Sequence, residues 1–260
     1  MLRRGYAADM PTIERSLHPQ FLSNAYLVYD EPGGTAVIVD SGAPPEPLLE
    51  SIERNELTPT HLLLTHHHHD HVERNAIYKE RFGVEILAHP LEAARLDDVD
   101  RTIEPGDCVL ETGGLRIGAL HTPGHTDGML SYVVDGAGVF TGDTLFKGSV
   151  GGVKAPGATT FDDLKSSVMD VLLALPSETR LHPGHTDPTT VADEWEDNAF
   201  VRVWRGLDPE GDDRCTVWER GATLVLWASD YDGGHKAWIR WDDTGEDDIV
   251  PGSQVVRPTS

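Results

Sequence analysis

The chain has 260 residues, 38% of them hydrophobic, and a formal net charge of −23 from 44 acidic against 21 basic side chains. That length supports one large hydrophobic core with a small appendage, and no run of ~18 apolar residues suggests a membrane-spanning helix. So acidic a balance disfavours nucleic acid as a partner, because binding a phosphodiester backbone needs Lys and Arg to neutralise phosphates.

The N-terminal stretch carries Arg3 and Arg4 but no apolar segment long enough for a signal peptide. Cys108 and Cys215 are the two cysteines and lie far apart. The expectation is a cytoplasmic protein with free thiols and no membrane partner.

In chain order, residues 25–29 and 35–40 read as paired strands around the Pro32-Gly33-Gly34 turn. Residues 47–56 read as a helix and 61–65 as a buried strand. Residues 71–82 carry Val72, Ala76, Ile77 and Tyr78 in a helix that stops at Gly83. Residues 84–88, 115–120 and 130–134 are further strands. The clearest helix is 160–175, where Phe161, Leu164, Val168, Val171, Leu172 and Leu175 form one stripe at helical spacing. Thr160 and Asp163 can form a capping box at its start, and Pro176 ends it. Residues 180–182 return to a strand, and a last helix spans about 190–204. Alternating helices and strands joined by short turns argue for a layered α/β domain.

After Gly206 the pattern changes. A charged linker at 208–213 leads into strand candidates at 215–219, 222–228, 236–241 and 249–256, the last interrupted by Pro251-Gly252. Four of the six tryptophans, Trp218, Trp227, Trp238 and Trp241, fall here. They read as the packing of a small β appendage, with a substrate lid or a dimer surface as the alternative. The expected division is a catalytic domain at 1–205 and a β-rich appendage at 206–260.

The most informative stretch is Thr65-His66-His67-His68-His69-Asp70-His71, directly after the apolar run Leu62-Leu63-Leu64. The frame His66-x-His68-x-Asp70-His71 puts three imidazoles and a carboxylate on one loop at a strand end. Such donors suit a borderline divalent ion, and four so close in sequence suggest more than one ion. Two related motifs follow, His121-Thr122-Pro123-Gly124-His125-Thr126 and His182-Pro183-Gly184-His185-Thr186, with Thr141-Gly142-Asp143-Thr144-Leu145 between them. In each, a strand-like run leads into a turn, and the residue after the turn is placed to face a cleft. No Gly-x-Ser-x-Gly elbow occurs, so a serine nucleophile is not the expectation.

Together these motifs resemble the metallo-β-lactamase-fold hydrolase superfamily, and within it the glyoxalase II (hydroxyacylglutathione hydrolase) branch, over about residues 20–205. The resemblance implies an αββα sandwich with the C-terminal β-rich appendage added to it. It implies two divalent ions, zinc first, with iron or manganese as alternatives. His66, His68 and His125 would bind one ion, Asp70, His71 and His185 the other, and Asp143 would bridge them. His67 and His69 then fall between ligands. His121 and His182 are expected to pack behind the ligands or to hydrogen-bond a carboxylate, and His18, His61, His89 and His235 to be structural. Asp40-Ser41-Gly42 resembles the early Asp-x-Gly turn of the family and is expected to brace the ligand loop.

The implied chemistry is hydrolysis of a thioester or related small acyl substrate by a metal-activated hydroxide, with Asp70 and Asp143 as the catalytic carboxylates. A mononuclear iron persulfide dioxygenase using His66, His125 and Asp143, a lactone hydrolase, and a non-catalytic binding module are the alternatives. The presence of Asp143, and the absence of cysteine from every ligand motif, point away from β-lactam hydrolysis. Two departures from the branch stand out. Its helical, glutathione-binding C-terminal region is replaced here by strand candidates, and the Gly-Arg-x-Asp type segment after the bridging aspartate is replaced by residues 147–154. Lys147 and Lys154 there are candidates to hold an anionic substrate group. A homodimer is the remaining partner expectation.

Overall fold

The computed structural model describes residues 10–257, so the stretch with Arg3 and Arg4 lies outside it. The chain divides into two compact units. One runs through Ala119 and includes Tyr132–Val139; the other comprises Leu120–Ser131 and the chain from Phe140 onward. Among the described residues, no helix is long and apolar enough to cross a membrane.

The first unit is built on a six-stranded sheet. Its strands are β1 (Thr12–Leu17), β2 (Asn24–Tyr29), β3 (Thr35–Val39), β4 (Thr58–Leu63), β5 (Glu85–Ala88) and β6 (Arg101–Thr102), arranged in sequence order. β1, β2 and β3 pair antiparallel, whereas β3, β4, β5 and β6 run parallel. Parallel neighbours need crossovers, which α1 (Glu46–Arg54) and α3 (Asn75–Phe82) supply, with the short α2 (His69–Val72) between them. Leu27, Ile38, Leu62 and Ile86 point to one face and pack with Leu48, Ile52 and Tyr78 of α1 and α3. Their strand neighbours Val28, Val37, Leu63 and Leu87 point the other way and are also buried. Covering on both faces explains why these strands read as continuous apolar runs.

The parallel register has a consequence for chemistry. The carboxyl ends of β3, β4 and β5 lie side by side, which brings Asp40, Thr65-His66 and His89 to one edge of the sheet. Ligands collect at such ends in open α/β sheets.

The helix expected over 71–82 is broken. The His71 carbonyl accepts from the Ser41 amide at 2.7 Å instead of continuing the helix, and Asn75 Oδ1 takes the Ser41 hydroxyl at 2.7 Å. The chain therefore makes one turn at His69–Val72 and starts again at Asn75.

A second six-stranded sheet is drawn from β7 (Gly106–Thr112), β8 (Leu115–His121), β9 (Leu130–Val134), β10 (Gly138–Gly142), β13 (Arg180–Pro183) and β14 (Thr189–Thr190), in the order β14-β13-β10-β9-β8-β7. β11 (Leu145–Phe146) and β12 (Ser149–Val150) form a small hairpin just after β10. α4 (Pro90–Ala93) precedes this sheet in the chain, and α5 (Phe161–Ser166), α6 (Val191–Asp197) and α7 (Ala199–Trp204) belong to the second unit.

α5 opens with the expected capping box between Thr160 and Asp163. The helix then widens into a π-turn at Ser167–Leu172, marked by the Leu173 amide bonding to the Val168 carbonyl at 2.9 Å. The widening buries both Leu172 and Leu173 and lets the Ser167 hydroxyl reach the Pro123 carbonyl at 2.7 Å. The helix expected over about 190–204 splits at Asn198. That residue is extended, and its Oδ1 caps Phe200 and Val201 to begin α7.

The C-terminal segment forms a five-stranded antiparallel sheet with its own core of Val217, Leu224, Ile239 and Trp241. Its strands are β15 (Asp213–Val217), β16 (Arg220–Ser229), β17 (His235–Trp241), β18 (Asp247–Pro251) and β19 (Val255–Val256), in the order β18-β17-β16-β15-β19. Four strands were expected. The fifth arises because Pro251 lacks an amide proton: β18 stops there, a turn spans Gly252–Gln254, and β19 crosses to pair with β15. β15 and β16 are joined by Trp218 and Glu219, both in the left-handed region at φ +47 and +66, as a type I′ hairpin requires.

Candidate metal centre

In the first unit the ligand loop leaves β4 at Leu64. His66 and His71 are fully buried, and Asp70 is partly exposed. The imidazole of His66 lies 4.6 Å from that of His68 and 4.3 Å from that of His71, centroid to centroid. Asp40, just past β3, holds this loop in shape. Its Oδ1 accepts from the Thr65 amide at 2.8 Å, and its Oδ2 accepts from the Thr65 hydroxyl at 2.8 Å and from His71 Nδ1 at 2.9 Å. Asp40, His66 and His71 offer donor atoms all within 4.8 Å of one another. Because Asp40 Oδ2 accepts the His71 Nδ1 proton, Asp40 braces the loop and turns His71 Nε2 towards Asp70, whose Oδ2 lies 3.6 Å away. Gly42 lets the loop close: a Cβ there would stand 1.6 Å from the Asp70 carbonyl oxygen.

In the second unit, His125, Asp143 and His185 follow β8, β10 and β13. Nε2 of His185 is 3.2 Å and Nε2 of His125 is 3.5 Å from Asp143 Oδ2. Nδ1 of His125 lies 2.7 Å from the Gly152 carbonyl oxygen. A carbonyl can only accept, so the proton sits on Nδ1 and the Nε2 lone pair faces the carboxylate. Gly142 turns the backbone ahead of Asp143 at φ +49, where a side chain would be strained. His185 is gripped by aromatic rings, stacked on Tyr231 at 4.2 Å and edge-on to Phe146 at 5.5 Å. Each unit by itself thus carries imidazoles and carboxylates of the kind that suit a divalent metal ion.

A cleft of about 520 Å³ opens on His125 and Asp143 within the second unit. The β11–β12 hairpin and the C-terminal sheet line it, through Phe146, Tyr231, Lys236 and Trp218 among others. Lys154 lines it too, with its ammonium 2.6 Å from Asp248 Oδ2. Lys147 is exposed at the hairpin turn.

The remaining histidines are placed as follows. The His67 ring and backbone amide both bind the buried Glu92 carboxylate, whereas His69 is exposed. His182 is buried and stacked on Phe140 at 4.8 Å. His121 bonds the Asp127 carbonyl at 2.8 Å. His18 and His89 accept backbone amides, the latter as the cap of α4. His61 contacts Thr60 and Glu85, and burial lowers its pKa. His235 stacks on Trp227.

Three further residues support the loops without any local signal in the sequence. Glu92 anchors His67. Glu194 accepts from the Gly148 amide at 2.9 Å, Asn198 Nδ2 at 2.8 Å and the Thr189 hydroxyl at 2.7 Å, and burial raises its carboxyl pKa. Asn198 donates in turn to the Ser149 carbonyl at 3.1 Å. Glu194 and Asn198 thus fix the β11–β12 hairpin that lines the cleft.

Residues 18–185 match the family model of the metallo-beta-lactamase superfamily, and the chain belongs to that superfamily. Its fold is the mixed α/β metallo-β-lactamase fold with a C-terminal β-rich region. A hydroxyacylglutathione hydrolase of Mesorhizobium japonicum is 42% identical over 165 residues, covering 61% of this chain and 60% of that protein. The chain therefore matches about 60% of the length of such curated relatives. Among solved structures, BLEG-1 B3 metallo-beta-lactamase is similar at a TM-score of 0.66 and 28% identity, covering 73% of this chain and 99% of that one. TTHA1623, solved in a di-iron-bound form, is similar at a TM-score of 0.59 and 37% identity, covering 73% and 98%. The family match ends at His185, so β15–β19 lie beyond it.

Proposed function

We propose that this chain is a metal-dependent hydrolase that cleaves a small acyl thioester in the manner of a glyoxalase II. In this reading His66, His68 and His125 hold one ion, Asp70, His71 and His185 hold a second, and Asp143 serves both. Zinc is the first candidate, and similarity to a chain solved with two irons keeps iron beside it. The observation that carries the reading is Asp143 Oδ2 lying within 3.5 Å of Nε2 of both His125 and His185. The curated relatives named hydroxyacylglutathione hydrolase support the thioester as substrate class.

Divalent ions so held would bring the pKa of a water to near neutrality and polarise an acyl carbonyl. The protein's own contribution is arrangement. Asp40 and the Gly152 carbonyl keep His71 and His125 in the tautomer that presents Nε2. Asp70, whose side chain is 24% exposed beside the buried His71, is the carboxylate we assign to accept the proton of an attacking water. Phe146 and Tyr231 shield His185 from bulk solvent. The net charge of −23 favours a small molecule over a phosphodiester polymer.

The test is metal analysis of purified protein, followed by thioesters, lactones and persulfides before and after chelation. Thioester turnover that chelation abolishes and zinc or iron restores is the expected result. Turnover that survives chelation would remove the metal mechanism. Iron content with persulfide-dependent oxygen uptake and no ester cleavage would replace hydrolysis by dioxygenation.

A further inference from the structure

The C-terminal sheet, beyond the family match, supplies much of the cleft that opens on His125 and Asp143. We propose that this sheet is the specificity wall of the site and selects thioesters whose thiol part is uncharged and apolar, with Trp218 as the residue that stacks on that part. The proposal rests on the thioesterase reading above and adds the substrate class.

Both lysines of the cleft are already neutralised. Lys236 is buried, its ammonium donates to the Val150 carbonyl at 2.6 Å, and it lies 3.2 Å from Asp230. It also sits over the rings of Phe146 at 5.0 Å and Tyr231 at 5.3 Å. Lys154 is held by Asp248 at 2.6 Å. Asp232 also lines the cleft and adds a negative charge. A thiol carrier bearing carboxylates, as glutathione does, meets paired cations and an extra acid. An uncharged carrier meets Phe146, Tyr231, Ile249 and Trp218.

A bulky residue rarely adopts φ > 0, yet Trp218 sits at φ +47 and its side chain is 48% exposed. Its indole nitrogen donates to Gln254 Oε1 at 3.0 Å, and its ring stacks on Trp241 at 6.3 Å. A large aromatic surface is thus held at the cleft by the hairpin turn, by stacking and by a hydrogen bond while left open to solvent. Strain that the surrounding structure over-determines clusters at ligand clamps.

The experiment compares S-lactoyl benzyl mercaptan, the benzyl thioester of lactate, with S-lactoylglutathione on the metal-loaded protein and on Trp218→Gly. Glycine suits the left-handed turn, so this variant keeps the hairpin. Binding of the corresponding phenethyl ketone, in which CH2 replaces the sulfur, is measured by calorimetry alongside turnover. We expect kcat/KM to favour the benzyl ester by about tenfold or more, and Trp218→Gly to raise its KM and the ketone Kd by about tenfold with kcat unchanged. A preference for the glutathione ester, or a ketone Kd indifferent to Trp218, overturns the inference while the hydrolase reading stands. Trp218-dependent ketone binding without turnover of either ester overturns the hydrolase reading and upholds the wall.

Discussion

Asp40 Oδ2 accepts a hydrogen bond from His71 Nδ1 at 2.9 Å, from a backbone position at φ +57. The carboxylate reaches two elements at once from the end of β3, bonding the Thr65 amide and hydroxyl as well. Asparagine tolerates this φ, but its amide group would face the His71 Nδ1 proton or the Thr65 amide donor. We expect Asp40→Asn to lower metal affinity by about 10–100-fold with little change in Tm. Competitive chelation measures this, and unchanged affinity would take Asp40 out of the site.

Asp143→Ala removes the carboxylate that both His125 and His185 face. Metal occupancy and turnover should fall together, by more than about a hundredfold, while the circular dichroism spectrum is retained. Full activity in this variant would refute the shared-ligand role.

The buried pair Lys236–Asp230 ties β17 to the β11–β12 hairpin, since Lys236 also bonds Val150 and Asp230 also bonds the Ser149 hydroxyl. Breaking one partner strands a buried charge. Lys236→Met should cost about 3–5 kcal/mol, and adding Asp230→Asn should recover a large part of it. Urea unfolding of both singles and the double checks the coupling; additive losses would show the two residues to be independent.

Gly42→Ala would drive a methyl group into the Asp70 carbonyl. The loop must shift, so we expect a loss of about 1–3 kcal/mol or more together with weaker metal binding. Calorimetry with and without added zinc separates the two effects.

Asp163 is held below the usual carboxylate range, first by the Thr160 hydroxyl and then by Thr159 and the Thr160 amide. A carboxyl whose folded pKa is depressed adds stability above its unfolded value of about 4, and that stability is lost as pH falls through the folded value. Asp163→Asn should therefore cost about 0.5–1 kcal/mol at pH 7, with the gap narrowing as pH falls below about 4. Denaturant melts across that range decide it; a gap that widens on acidification would contradict the assignment.

The motifs of the proposed centre stand out in the sequence because each packs its candidate side chains into a few consecutive residues at a strand end. Asp40 was legible as a brace because it opens a compact Asp-x-Gly turn. Glu92 was not, since its partner His67 lies 25 positions away and the intervening sequence carries no pattern that pairs them. Glu194 and Gly148 are 46 apart, and Lys236 and Val150 are 86 apart. In the sequence Lys236 is simply a polar residue in a strand with Trp238 and Arg240 on the same face. The helix breaks escaped for a related reason. Local periodicity reports the propensity of 71–82 to be helical, but the His71 carbonyl is claimed by Ser41, a partner from another part of the chain. The fifth C-terminal strand was half legible: Pro251 announced a break, but not that Val255 and Val256 would pair with β15.

That crossing covers one end of a sheet edge. β15 would otherwise offer an open row of amides and carbonyls to any passing extended segment. Two residues of β19 cover the Thr216–Val217 end of it, and the opposite margin, β18, terminates in a proline that cannot extend a ladder. A chain ending at Gln254 would keep every proposed metal donor yet uncover β15. It would remain competent in dilute solution while becoming prone to strand exchange and fibre growth as its concentration rises.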